Sequence, residues 1–135
     1  MDRMNTQELM KRAKEARARA YAPYSRFLVG AALLCEDGTV FEGCNVENAA
    51  YSPTCCAERV ALFSAVAGGH RRFSAIALAG GGGAEPDPMV TPCGVCRQAL
   101  SEFCAPELTV LLVGEDGETK TLTLGDLLPL GFSLS

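Results

Sequence analysis

Seven cysteines, Cys35, Cys44, Cys55, Cys56, Cys93, Cys96 and Cys104, are spread over 135 residues. Two short segments among them can do chemistry: Cys56-Ala57-Glu58 and Pro92-Cys93-Gly94-Val95-Cys96. Cys93 and Cys96 are three apart, so at the start of a helix both sulfurs fall on one face of the first turn. Backbone N–H groups and the positive end of a helix favour thiolate over thiol there. The pair needs a third ligand to hold an ion, and Cys56 is the best candidate because its segment also opens a predicted helix. Three thiolates and one open position describe a catalytic zinc site, whereas structural sites are closed. Zinc suits soft thiolate ligands and brings no redox chemistry. Glu58 follows Cys56 by two residues and points about 160° or more away around the helix axis, so it is not expected on the same ion. It can still lie beside a water held over the helix start, where a carboxylate takes a proton and hands it to a substrate.

A lone Cys-x-x-Cys also fits a redox pair, half of a structural zinc site, or coincidence. A zinc ribbon shows two such knuckles and this chain has one; a thioredoxin-like motif follows the first strand, and this one comes late. Cys35, Cys44 and Cys104 lie among apolar residues and read as packing groups. Cys55 and Cys56 face different directions, so one of them binds metal and Cys55 is left without a role. His70, the single histidine, sits in Gly68-Gly69-His70-Arg71-Arg72, which reads as a surface loop and not as a ligand.

These groups need elements to position them. A helix is predicted from Thr6 to Ala20, capped by Asn5 with Glu8 as its partner three residues on. Phe27 to Cys35 reads as a buried strand, and Asp37-Gly38 turns it into a hairpin with Thr39 to Val46. A helix follows from Cys55 to Ala67, stopped by Gly68-Gly69. Phe73 to Ala79 is a strand, and Pro92 to Phe103 a helix capped by Thr91. Leu108 to Val113 and Glu118 to Leu124 are strands joined by a turn too short for a parallel crossover, so they pair antiparallel. A helical turn near Asp126–Leu128 closes the series. No linker or repeat divides residues 1–135, which read as one α/β domain, helices layered on a central sheet. The run Gly80 to Gly83 is a loop without a functional reading.

Composition narrows the class. Apolar residues make up 48% of the chain, or about 56% with glycine counted and tyrosine not, against roughly 45–50% in typical domains. Disorder is excluded, and the excess points to oligomerisation. The apolar run Phe27 to Cys35 is far short of the roughly 20 residues a membrane helix needs. The charged N-terminus has no secretory apolar segment, so a cytoplasmic chain with reduced thiols is expected. Residues 1–26 carry a charge balance of +4 and the remainder −8. The basic stretch reads as the solvated face of an amphipathic helix, with Leu9, Ala13, Ala16 and Ala20 on its apolar stripe and Lys11, Lys14 and Arg19 mostly off it. The acidic remainder opposes a nucleic-acid partner.

Several segments then resemble one family along nearly the whole chain, in order: Pro23-Tyr24-Ser25-Arg26-Phe27, Val29-Gly30-Ala31-Ala32-Leu33, Gly43-Cys44-Asn45-Val46-Glu47-Asn48-Ala49-Ala50-Tyr51, Cys56-Ala57-Glu58-Arg59, Pro92-Cys93-Gly94-Val95-Cys96-Arg97-Gln98 and Leu127-Leu128-Pro129. They are similar to the small homotetrameric zinc-dependent cytidine deaminases. The resemblance implies a three-layer α/β/α sandwich with a five-stranded mixed sheet, one Zn²⁺ per subunit, and hydrolysis of cytidine and 2′-deoxycytidine to uridine and 2′-deoxyuridine plus ammonia, a step of pyrimidine salvage. It implies Cys56, Cys93 and Cys96 as zinc ligands and Glu58 as the proton carrier. Arg59 would donate to ligand sulfurs and offset the surplus negative charge, with Arg97 a second candidate for that role. Asn45 and Glu47 would bind the ribose hydroxyls, Phe27 would pack on the pyrimidine, and Ala57 would belong to the same substrate-binding set. Tyr51 and Phe132 would reach across a subunit interface into a neighbouring site. The competing expectations are a deaminase of another cytosine compound, such as a nucleoside antibiotic or a nucleic acid, and a non-enzymatic zinc or redox module. The tight final hairpin opposes the nucleic-acid version, and the module leaves Glu58, Asn45 and Glu47 unexplained.

Overall fold

The computed structural model describes residues 5–134; the charged residues 1–4 lie outside it. Its elements are α1 (Thr6–Arg17), β1 (Leu28–Cys35), β2 (Val40–Cys44), α2 (Ala57–Ala67), β3 (Phe73–Gly81), α3 (Gly94–Phe103), β4 (Thr109–Val113), β5 (Thr119–Thr123) and α4 (Leu124–Leu127). The strands form one sheet in the order β2-β1-β3-β4-β5. β3 and β4 run parallel, joined through α3, and the other pairs, including β4 with β5, are antiparallel.

β1 reads as a continuous apolar run because both its faces are covered. Ala31, Leu33 and Cys35 point into a core closed by Ala57, Ala61 and Leu62 of α2 and Leu100 of α3. Ala32 and Leu34 point the other way, against Leu9, Met10 and Ala13 of α1. The result is three layers, as expected. Two glycines let the helices sit directly on the sheet: a Cβ at Gly30 would lie 2.1 Å from the Ala13 carbonyl oxygen, and one at Gly43 2.4 Å from that of Ala57. Gly43 thereby sets how close the first turn of α2 comes to β2.

Several boundaries move for identifiable reasons. α1 ends at Arg17 and not at Ala20, because the Tyr21 N–H donates to the Asn45 carbonyl (2.9 Å) and draws the chain into a bridge with Val46. Asn5 caps α1, its Oδ1 accepting from the Glu8 N–H at 2.7 Å. α3 is capped by Cys93 and not by Thr91; the Thr91 hydroxyl oxygen instead accepts from Arg97 Nη2 at 3.1 Å. The last helical turn starts at Leu124, where Thr123 and Asp126 form a capping box.

The basic face of α1 is also not wholly solvated. Lys11, Lys14 and Arg19 are exposed, but Arg17 is buried. Its guanidinium donates to the carbonyls of Leu28 (3.2 Å), Gly81 (2.7 Å), Ala84 (3.2 Å) and Gly83. The glycine-rich segment thus has a structural partner: it turns its carbonyls onto one buried arginine. Among the described residues no helix is long and apolar enough to cross a membrane.

Candidate active site

The start of β1, the end of β2 and the N-termini of α2 and α3 open onto one cleft of about 370 Å³. Phe27, Asn45, Glu47, Tyr51, Cys56, Ala57, Glu58 and Cys93 all line it. These residues are up to 66 positions apart in sequence, and the sheet order brings them together.

Cys56 and Cys93 occupy the N-cap positions of α2 and α3, and neither sulfur caps its own helix. Ser, Thr, Asp or Asn is the usual cap because its oxygen bonds the open N–H groups; cysteine there leaves the sulfur available. The Cys56 and Cys93 sulfurs are 3.7 Å apart, and with Cys96 all three lie within 4.8 Å of one another. Zn–S bonds of about 2.3 Å in a tetrahedron separate sulfurs by about 3.8 Å, so the donor set fits zinc. Cys96 is buried in the first turn of α3, while Cys93 faces outward. The Cys56 thiol is lowered to about 5, chiefly by the hydrogen bond from Cys96, with Arg59 and Cys93 adding to it against the effect of burial. Cys96 moves up, as the member of the pair that keeps the proton. One thiolate is therefore already favoured by the fold.

Arg59 Nη2 lies 3.5 Å from Cys56 Sγ, and its Nε is buried without a hydrogen-bond partner. Its guanidinium is raised, first by the Cys56 sulfur and then by Cys96, against burial. Arg97 turns the other way. It donates to the carbonyls of Pro92 (2.7 Å) and Leu127 (2.6 Å). It ties the segment before Cys93 to α4 and does not touch the sulfurs, which removes it as a charge-balancing candidate.

Glu58 and Arg17 are the buried charged residues among those described. The Glu58 side chain enters the same cleft as Cys56 although the residues are two apart. Cys56 has extended backbone angles (φ −73°, ψ 155°), so the helical rotation that would separate them begins only after it. Burial pushes the Glu58 carboxyl up to about 7; its own backbone N–H pulls down, the Cys56 thiolate pushes further up, and Arg59 pulls down.

In the same cleft, Asn45 Oδ1 accepts from the Val29 N–H (2.8 Å) and Nδ2 donates to the Phe27 carbonyl (2.8 Å). The amide therefore holds the start of β1, and its second Nδ2 hydrogen remains for a ligand. The Glu47 carboxylate accepts from the Tyr24 N–H (2.9 Å), the Ser25 N–H (3.1 Å) and the Ser25 hydroxyl. Those bonds, the Ser25 hydroxyl first, hold its pKa below the usual carboxylate range. In the sequence Ser25 is one residue of a motif with no task of its own, and nothing there marks Val90 or Thr91 as cleft residues. A serine two residues before a cleft phenylalanine was the only available signal. Cys55 also lines the cleft. Tyr51 lies at the rim and is 84% exposed. Phe132 does not reach this cleft; its backbone is gripped by Gln98, whose Nε2 donates to the Phe132 carbonyl (2.9 Å) and whose Oε1 accepts from its N–H (3.3 Å).

A buried carboxylate in one cleft with three convergent sulfurs, at the helix N-termini of a mixed-sheet sandwich, is the arrangement of a zinc-dependent hydrolase, in which the sulfurs can hold the ion and the acid can move the protons of a water. The comparisons with known proteins specify which kind. The family model described as cytidine and deoxycytidylate deaminase zinc-binding region matches residues 3–112. A cytidine deaminase of Sporosarcina psychrophila is 48% identical over 130 residues, covering 96% of this chain and 93% of that protein. One of Halalkalibacterium halodurans is 47% identical over 130 residues, with 96% of each chain covered. The crystal structure of cytidine deaminase from Burkholderia pseudomallei is similar with a TM-score of 0.87 and 50% identity, covering 96% of this chain and all of that one. The chain belongs to the cytidine and deoxycytidylate deaminase zinc-binding family.

Proposed function

We propose that the protein hydrolyses cytidine and 2′-deoxycytidine to uridine and 2′-deoxyuridine, releasing ammonia. The observation that carries this reading is a single cleft holding the three-sulfur metal position, buried Glu58 and the Asn45–Glu47 wall. Cys56, Cys93 and Cys96 hold the zinc ion. Zinc, when bound, supplies a Lewis acid that makes water a nucleophile near neutral pH. Glu58 takes a proton from the attacking water, places it on N3 of the pyrimidine, and then delivers a proton to the departing amino group. Arg59 offsets the surplus negative charge of three thiolates. Phe27 packs on the base, and the Ala57 segment lies beside it. Asn45 and Glu47 hold the sugar hydroxyls, an amide donor beside a carboxylate acceptor.

We further read the enzyme as a homotetramer with active sites at subunit interfaces. Tyr51, Leu130, Phe132 and Leu134 are all more than two-thirds exposed, an apolar surface a partner subunit would cover. Ligand thiols that must stay reduced support a cytoplasmic setting.

The test is direct. Zinc-loaded protein is mixed with cytidine or deoxycytidine, and the ultraviolet change and ammonia release are followed. Turnover with equal loss of amine and gain of ammonia is expected; no turnover on either nucleoside overturns the reading.

A further inference from the structure

Away from the cleft, three further donors converge. Cys35 ends β1, Asp37 sits in the turn to β2, and His70 lies in the loop between α2 and β3. One ligand atom of each lies within 4.8 Å of the others. The loop around His70 is not a free surface loop: the ring packs edge-on against Phe41, centroids 5.1 Å apart, and the His70 N–H donates to the Ala65 carbonyl at 3.0 Å. His70 Nε2 is 3.2 Å from Asp37 Oδ2, while Nδ1 is buried with no hydrogen-bond partner. The other Asp37 oxygen, Oδ1, accepts from the Thr39 N–H at 2.9 Å, which fixes the direction of the carboxylate. The Gly38 N–H donates to the Cys35 carbonyl at 3.0 Å and holds the turn.

We propose that Cys35, Asp37 and His70 form a second divalent-metal site, suited to zinc, that joins the β1–β2 turn to the α2–β3 loop. The donor chemistry argues for it: thiolate, imidazole and carboxylate together are the ligand set of zinc and other borderline ions, not of magnesium or calcium. Bonds of 2.0–2.3 Å in a tetrahedron place such donors about 3.5 Å apart, and the histidine–aspartate pair already stands near that separation. On binding, the Cys35 S–H proton leaves to solvent and an Sγ–metal bond takes its place. Asp37 is exposed, so water fills the fourth position. The same three residue types also make a nucleophilic triad, but Cys35 is only 1% exposed and no substrate carbonyl can reach its sulfur. None of the three residues lines the catalytic cleft.

The experiment counts zinc. Intact enzyme is equilibrated by dialysis against rising free Zn²⁺, and bound metal is measured by elemental analysis alongside the melting temperature. Wild-type protein is expected to take up a second equivalent per chain and to melt higher as it does, because a ligand bound only by the folded state stabilises it. His70→Gln and Asp37→Asn, both outside the catalytic machinery, should stop at one equivalent and keep cytidine turnover. Cys96→Ser should lose turnover yet still take up a zinc that the additional His70→Gln change removes, so failure of one site is read separately from failure of the other. Wild-type saturation at one equivalent overturns the proposal, as does a second equivalent that survives both His70→Gln and Asp37→Asn.

Discussion

In the proposed mechanism Glu58 carries the proton, and its setting suits a carboxylate to that work. It is 3% exposed, with Cys56 and Arg59 as its charged neighbours, so no bulk water competes for the proton it carries. Glu58→Gln keeps the shape and removes the proton acceptor. The variant should bind one zinc at the three-sulfur position and lose at least about 10²–10⁴-fold in kcat, checked by steady-state kinetics with metal content measured on the same sample. Persisting activity would remove Glu58 from the mechanism. The residue types at this site were legible without coordinates, because cysteines at two predicted helix starts with an acid nearby stand out along the chain, and the family resemblance narrowed the alternatives that a lone Cys-x-x-Cys leaves open. The tasks of Ser25 and Arg97 were not. Ser25 buttresses Glu47 and Arg97 ties Pro92 to Leu127, and neither partner is near in sequence.

At the scale of elements, α2 delivers Cys56, Glu58 and Arg59 as one unit, and Gly43 sets how close it lies. Gly43→Ala would place a Cβ 2.4 Å from the Ala57 carbonyl oxygen and 2.6 Å from the Ala61 nitrogen. Backbone cannot give way as a flexible side chain can, so α2 must shift. The variant should lose about 1–3 kcal/mol of stability and most of its turnover, by urea denaturation and kinetics; unchanged values would show that α2 relaxes at no cost. On the same strand, Glu42 pairs with Arg12 of α1 and with Arg19 just beyond its end, tying that stretch to β2. Burial raises the Glu42 carboxyl, but the two arginines outweigh it and the pKa falls below the usual value. A carboxyl with a lowered folded-state pKa stabilises the fold above its unfolded value of about 4.3 and loses that contribution as pH falls through the folded value. Glu42→Gln should therefore be less stable than wild type at pH 7, and the gap should close as pH falls below about 4. A gap independent of pH would mean the ion pairs contribute nothing, as exposed pairs often do. The succession of these elements along the chain was legible from hydrophobic period and turn signals, and their three-layer arrangement was implied by the family resemblance, while their ends shifted by a few residues. The end of α1 shows why: the Tyr21 N–H finds the Asn45 carbonyl, a partner no local signal announces. Likewise Arg17, a charged residue of α1, is satisfied inside the protein by the carbonyls of Leu28, of Gly81 at the end of β3 and of Gly83 and Ala84 beyond it.

For the whole molecule, the excess of apolar residues has a visible location. Tyr51 stands at the cleft rim, and Leu130, Phe132 and Leu134 line the C-terminal end, all largely exposed on one chain. Light scattering on the intact protein should give four times the chain mass; a monomer with full activity would sink both the tetramer and the shared-site reading. The division between what sequence determined and what tertiary structure decided follows from the range of the forces. Residue chemistry and hydrophobic period are local properties, so the three candidate ligand cysteines, the acid between them and the alternation of helices and strands could be read along the chain. Spatial convergence depends on strand order and on close helix–sheet approach. Only the folded sheet placed Asn45 and Glu47 in one cleft with Cys56, turned Arg97 away from the sulfurs, gathered glycine-segment carbonyls around Arg17, and brought His70 within reach of Cys35 and Asp37, 35 and 33 positions earlier in the chain.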